Sequence, residues 1–207
     1  MATQLIQIDK IQDDDWVIID LPVIEVEIKK QAGKVVQFKL TGEAYPTSEQ
    51  IEKTVIPASG NIILPLQVYA KNKACLAERL NKGEISIWLL THEEIEKYIA
   101  SEEEINQFSI IAIKTEKFAD GRIFSIAARI RNKFRFTHDL RAIGDVLKDQ
   151  LYFLKRVGFS SYVIREDRNT REALKALYDF SDPYQGALTS KNRYGVEKKE
   201  NEKNRSN

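Results

Sequence analysis

Two short segments of the sequence combine the residue types that hold small anions. The first is residues 114–122, KTEKFADGR, and the second is residues 141–145, RAIGD. Each contains an arginine, a glycine and an aspartate where a predicted strand gives way to a predicted helix. An arginine offers a planar pair of donors suited to an oxyanion, and the first turn of a helix offers free backbone amides. The pattern indicates a site for a small oxyanion.

The same residues have a purely structural interpretation. Asp120 and Asp145 each precede a predicted helix and could serve as N-caps. Asp145 and Asp149 lie one helical turn apart with Gln150 beside them, which suits acid–base work, a hard metal ion or simply a hydrated helix face. The sequence leaves these alternatives open.

Charge is distributed unevenly along the chain. The 207 residues carry a formal net charge of +1, which argues against a dedicated nucleic-acid binder. Residues 1–108 sum to −7, residues 109–190 to +5 and residues 191–207 to +3. Nine of the 12 arginines fall within residues 109–190. The candidate anion site therefore lies in the basic part of the chain.

Several classes of protein are disfavoured by what the sequence lacks. The only cysteine, Cys75, stands in the apolar run Ala74-Cys75-Leu76-Ala77 and is predicted to be a buried apolar residue. The two histidines lack the spacing of a zinc site. No phosphate-binding glycine motif or catalytic signature is present, so we predict no cofactor. No apolar run is long enough for a membrane span and no secretory signal is visible, so a cytoplasmic protein without membrane contact is expected.

Hydrophobic periodicity predicts an α/β fold. Alternating apolar residues over 24–28 and 36–40 predict an N-terminal β-hairpin region. Strands are then predicted at 61–66, 84–90, 109–113, 140–143 and 161–165, with helices between them at about 68–80, 91–100, 123–130 and 147–157, and a last one at 171–178. The helix at 91–100 is predicted from a capping box formed by Thr91 and Glu94.

Repeated strand–helix units of this length predict parallel strands with right-handed crossovers. They form either an open sheet or a partial barrel, and the sequence does not choose between the two. We divide the chain into a β-rich segment at 1–58, an α/β domain at 59–190 and a disordered charged tail at 191–207. Since ligands gather beyond the carboxyl ends of parallel strands, both candidate segments are expected at the mouth of this domain.

Three runs of the sequence carry a family resemblance: FADGRIFSIAARIR, then DLRAIGDVLKDQLYFLKRVGF, then YDFSDPYQ. Together they resemble a bacterial family of unknown molecular function whose members are regarded as oxidoreductases involved in sulfite reduction. The similarity spans residues 84–188. One departure is Val157, at a position where the family often has a cysteine, so a thiol mechanism is not expected there. The matching motif residues are Phe118, Asp120, Gly121, Arg122, Leu140, Arg141, Ala142, Gly144, Asp145, Asp149, Gln150, Leu151, Arg156, Gly158, Phe159, Tyr184 and Gln185.

The resemblance implies an accessory protein of assimilatory sulfite reduction, with the haemoprotein subunit of sulfite reductase as its partner. The protein would bind either that partner or a sulfur oxyanion at the mouth. If it binds an oxyanion, Arg122 and Arg141 neutralise the anion, Gly121 and Gly144 let backbone amides approach it, and Asp120 and Asp145 orient the arginines. The alternatives are a non-catalytic scaffold and an oxidoreductase that uses a partner's cofactor. The predicted ligand-binding residues are Asp120, Gly121, Arg122, Arg141, Gly144, Asp145, Asp149, Gln150 and Arg156.

Overall fold

The computed structural model describes residues 4–24, 45–165 and 167–180 as a curled eight-stranded sheet with helices between the strands. The strands are β1 (Gln4–Gln7), β2 (Lys10–Asp13), β3 (Val17–Ile18), β4 (Ile62–Pro65), β5 (Ile85–Leu90), β6 (Ile110–Thr115), β7 (Asp139–Gly144) and β8 (Ser161–Val163). The α-helices are α1 (Ser48–Lys53), α2 (Leu66–Asn81), α3 (Glu102–Ile105), α4 (Arg122–Asn132), α5 (Lys148–Arg156) and α6 (Thr170–Ala176).

The sheet has the strand order β2-β1-β8-β7-β6-β5-β4-β3. Strands β3 to β8 are parallel, whereas β1 pairs antiparallel with both β2 and β8. The central strands are near-continuous buried runs such as ISIWLL in β5, as expected for parallel strands covered on both faces. The first three strands therefore join the same sheet as the five that follow.

A short link shows how strongly the sheet curls. Residues 14–16 connect Asp13 in the edge strand β2 to Val17 in β3, the strand at the opposite edge. The four residue steps between these positions span at most about 14 Å, whereas the outer strands of a flat eight-stranded sheet lie roughly 34 Å apart. The two edges must approach each other, and the sheet forms a partial barrel.

The two faces of the sheet have different neighbours. Ile87 and Leu89 in β5 pack in the large cluster that includes the buried stripe of α4, which is Ile123, Ile126, Ala127 and Ile130. Trp88 and Leu90 alternate with them and face the interior of the partial barrel, where Trp16 also packs. The period-two pattern of each strand thus separates a helix-covered face from an interior face.

Most of the predicted elements are confirmed. The helices predicted at 68–80, 123–130, 147–157 and 171–178 correspond to α2, α4, α5 and α6, and the five strands from 61 onward correspond to β4–β8. Among the two architectures left open, the partial barrel is the one that forms. The prediction of a helix at 91–100 is wrong, because the structure has a turn at 91–92 and a single turn of 3-10 helix at Ile95–Lys97. The Thr91 hydroxyl donates to Asp120 instead of capping a helix.

Other predictions concern the N-terminal part and the ends of the chain. A hairpin is present, but it is formed by β1 and β2; the one predicted at 24–40 lies, apart from Ile24, outside the described residues, as does the tail at 191–207. Cys75 is exposed and not buried as predicted, because it lies on the solvent side of α2. In the part of the chain that the structure describes, no helix combines the length and apolarity needed to cross a bilayer.

Candidate functional site

The loop between β6 and α4 lies at the carboxyl end of the sheet, beside the loop that follows β7. We call residues 116–121 the mouth loop, because they border the open end of the partial barrel. The loop begins after Thr115 and ends where α4 starts at Arg122. Parallel α/β folds bind their ligands at this end, so the position agrees with the expectation from the sequence.

Two motif side chains hold the main chain of Phe118 at the centre of the mouth loop. The Phe118 amide donates to Asp145 Oδ2 at 2.9 Å, and Gln150 Nε2 donates to the Phe118 carbonyl at 2.8 Å. Arg165 Nη1 donates to the other oxygen of Asp145 at 2.8 Å, which fixes the orientation of that carboxylate. Both polar backbone groups of Phe118 are therefore bound, while the residue as a whole remains 41% exposed.

Asp120 fixes the end of the mouth loop. Its carboxylate accepts hydrogen bonds from the Arg122 amide at 3.1 Å, from Arg122 Nε and Nη2 at 2.9 Å each, and from the Thr91 hydroxyl. The bonds from Arg122 lower the pKa of Asp120 to about 2. A lowered pKa means that this contribution to stability is present above the ordinary value of 3.8 and is lost as the pH falls towards 2. Asp120 is therefore ionised, and paired with Arg122, at neutral pH.

Gly144 allows the loops after β6 and β7 to meet. Its φ is +93°, and a Cβ atom added there would lie 2.1 Å from the Thr115 carbonyl oxygen. That same oxygen accepts the Asp145 amide at 2.9 Å, which places Asp145 under the mouth loop. Gly121, the other motif glycine, has a φ of −68°, and no atom of the described residues lies within 4 Å of a Cβ added there. Only Gly144 is required by the geometry of this end of the sheet.

Arg141 lies in the interior of the partial barrel and not at the mouth, where the sequence places it. It is 2% exposed and pairs in register with Ala112 and Ser161, well before β7 ends. Its guanidinium donates to both oxygens of Asp14 at 3.0 and 2.8 Å, to Asp139 at 3.1 Å and to Ser161 at 3.1 Å. The carboxylates that orient it are therefore Asp14 and Asp139, and Asp145 is not one of them.

The remaining predicted residues lie at separate places on α5. Asp149 is exposed near the start of the helix and lines a small cavity of about 190 Å³ with Lys148 and Arg168. Arg156 ends the helix, and its guanidinium lies 5.6 Å from the centre of the Tyr152 ring. The structure thus groups Asp120, Gly121, Arg122, Gly144, Asp145 and Gln150 around the mouth loop and leaves Arg141, Asp149 and Arg156 apart from them. Their roles in binding an anion stay predictions.

Sequence reasoning missed a buried carboxylate that follows β5. Glu93 is 5% exposed and accepts the Leu90 amide at 2.6 Å and the Gln67 side-chain amide at 2.9 Å. Burial raises its pKa above the ordinary value of 4.5. The folded protein therefore binds this proton more tightly than the unfolded chain does, so the contribution of Glu93 to stability is full below pH 4.5 and is lost as the pH rises through the folded pKa. The signal that could have found it is its position: Glu93 directly precedes Glu94, the residue that we assigned to a capping box with Thr91.

Asp14 was also overlooked, because it is one of three consecutive aspartates and the sequence does not distinguish them. The structure does, since the Asp14 side chain is 3% exposed against Arg141 while Asp13 and Asp15 are exposed.

Among the residues that the structure describes, no group of three or more histidine, cysteine or acidic side chains is arranged to hold a metal ion.

Comparison with known proteins gives one match. A family model described as "Bacterial protein of unknown function (DUF934)" matches residues 86–194, which is more than half of the chain. The matched range includes every residue of the mouth loop and the side chains that hold it, but not Asp14. Searches of curated proteins and of solved structures found no match.

Proposed function

The chain belongs to this bacterial family of unknown function, DUF934. From the resemblance of its motif residues we propose that it is an accessory protein of assimilatory sulfite reduction. In this role its own side chains carry out no reaction. It binds the haemoprotein subunit of sulfite reductase through the mouth loop, with Phe118 as the central contact. The link to sulfite reduction comes from the resemblance of the motif residues, and the choice of the mouth loop comes from the structure.

The observation that carries the proposal is the environment of Phe118. The carboxylate of Asp145 and the amide of Gln150 bind both its backbone groups, yet the residue is left 41% exposed. Exposed aromatic side chains on a fixed backbone make good anchors for protein partners, because little conformational entropy is lost when they are buried. The motif residues thus support a surface prepared for a partner.

The arginines support binding of a protein over binding of an oxyanion. Arg122 is paired with Asp120, whose pKa of about 2 keeps it ionised at neutral pH. Arg141 is buried against Asp14 and Asp139. An anion at the mouth would have to compete with Asp120 for Arg122 and would find the guanidinium of Arg141 buried away from it, which disfavours the oxyanion version of the proposal.

Isothermal titration of the sulfite reductase haemoprotein with this protein tests the proposal. We expect Phe118→Ala to weaken binding at least tenfold, since truncation of a central aromatic contact typically costs about 2 kcal/mol or more. Phe153→Ala is the matched control, because Phe153 is 48% exposed on α5 and lies outside the mouth loop. We expect it to change the affinity less than twofold.

Two results would overturn the proposal. One is the absence of any association between the natural protein and the haemoprotein at low salt. The other is an equal loss of affinity in Phe118→Ala and Phe153→Ala, which would remove the mouth loop as the contact. Thermal unfolding of both variants confirms that they are folded before they are titrated.

A further inference from the structure

A cavity of about 460 Å³ opens at the carboxyl ends of β5 and β6. Trp88 and Leu90 from β5 form part of its lining, and Leu21, Val23, Tyr45 and Pro46 contribute further apolar surface. Its size and its largely apolar lining with a few charged groups are those of small-molecule sites. Its position is also the one where parallel α/β folds bind ligands.

The charges of this cavity follow a simple pattern. Among the described residues that line it, Lys114 is the one cation, and Asp20 and Glu116 are the two acids. Lys114 occupies the interior face of β6 beside Leu90, and its ammonium lies 4.8 Å from the centre of the Trp88 ring. It forms an ion pair with Asp20, whose side chain is 65% exposed. A cation held against the Trp88 ring is thus paired with an exposed acid at the rim of an apolar floor.

A second, larger cavity at the opposite end of the sheet also has a cation and an acid in its lining, Arg131 and Asp139, but both are bound within the protein. Arg131 lines that cavity of about 640 Å³, but its guanidinium donates to the backbone carbonyls of Gly158, Phe136 and His138. These bonds join the end of α4 to the loop before β8. Asp139 in turn accepts hydrogen bonds from Ser160 and Arg141, so both charged groups at that end have structural tasks that explain them.

We propose that the cavity beside Lys114 binds a small zwitterion with an apolar side chain, of the chemical class of an apolar α-amino acid. The ligand carboxylate pairs with Lys114, and the ligand ammonium pairs with Asp20 and Glu116. The side chain lies against Trp88, Leu90 and Tyr45. A ligand carrying both charges satisfies the two sides of the Lys114–Asp20 pair when it enters between them, whereas a ligand with one charge leaves one side unpaired. The site shares Glu116 with the mouth loop, but it involves neither Phe118 nor a protein partner.

Three probes with the same phenyl ring separate the contribution of the ligand carboxylate from that of the ligand ammonium. Titration calorimetry with L-phenylalanine, phenethylamine and 3-phenylpropionate compares the zwitterion with a ligand that has only the ammonium and one that has only the carboxylate. We expect saturable binding of L-phenylalanine and at least tenfold weaker binding of the other two. Sulfite, which has no apolar part, is expected to bind more weakly than L-phenylalanine.

Two variants locate the site. Lys114→Met is expected to weaken L-phenylalanine binding at least tenfold, and Asp20→Asn, at a position whose side chain is 65% exposed, is expected to weaken it severalfold. Lys117→Met is the control, because this exposed lysine of the mouth loop lies outside the cavity. The proposal is overturned if L-phenylalanine gives no saturable heat, if the three probes bind equally, or if Lys114→Met and Asp20→Asn both bind as the natural protein does.

Discussion

Gly144→Ala is expected to lower the free energy of unfolding by more than about 3 kcal/mol. Two effects add at this position. The backbone has a φ of +93°, which an L side chain rarely adopts, and the new Cβ would lie 2.1 Å from the Thr115 carbonyl oxygen. Because that oxygen belongs to the backbone of β6 and also accepts the Asp145 amide, it cannot move without breaking the contact between the two loops. Urea denaturation followed by circular dichroism measures the loss.

Gly121→Ala is the matched control, since Gly121 belongs to the neighbouring motif but has an ordinary φ and open space around it. We expect its free energy of unfolding to stay within about 1 kcal/mol of the natural value. If the two variants lost the same stability, the close approach at Gly144 would not be what makes a glycine necessary there.

Arg141→Met is expected to lower the free energy of unfolding by about 3–5 kcal/mol. The substitution keeps much of the side-chain volume but leaves the carboxylates of Asp14 and Asp139 without their cation. Asp14 is 3% exposed and Asp139 is 11% exposed, so neither can recover its hydration fully in the folded state. The same denaturation experiment measures the effect.

Arg168→Met tests whether burial of the ion pair is the reason for the large loss of stability expected in Arg141→Met. The ion pair of Arg168 with Asp167 has a distance of 3.5 Å, and both side chains are more than half exposed. Exposed pairs of this kind contribute less than about 1 kcal/mol, so a small change is expected. A loss of under about 1 kcal/mol in Arg141→Met would show that its buried ion pairs do not stabilise the partial barrel.

The order of strands and helices was predictable because buried parallel strands and amphipathic helices differ in period. The apolar run of β5 and the stripe from Ile123 to Ile130 are examples. The choice between an open sheet and a partial barrel was not predictable. It depends on residues 14–16, which join the two edge strands, and their significance emerges only when both edges are known.

The location of the candidate site was predictable in part. The sequence identified Asp120, Asp145 and Gln150 from motifs near strand ends, and the structure groups them around Phe118. It did not reveal their partners, because Asp145 pairs with Arg165, which lies 20 positions away. The misplacement of Arg141 was avoidable, since the strand predicted at 140–143 already contains it, and the alternation of side chains puts it on the face opposite Leu140 and Ala142.

Hydrogen exchange at the Phe118 amide tests whether the motif residues hold the mouth loop. If Asp145 binds this amide as the structure shows, exchange is slow in the natural protein and accelerates strongly in Asp145→Ala. The amide of Ile113, inside β6, is the internal reference and should keep its protection in both proteins. Fast exchange at Phe118 in the natural protein, or equal protection in Asp145→Ala, would contradict a mouth loop fixed by the motif residues.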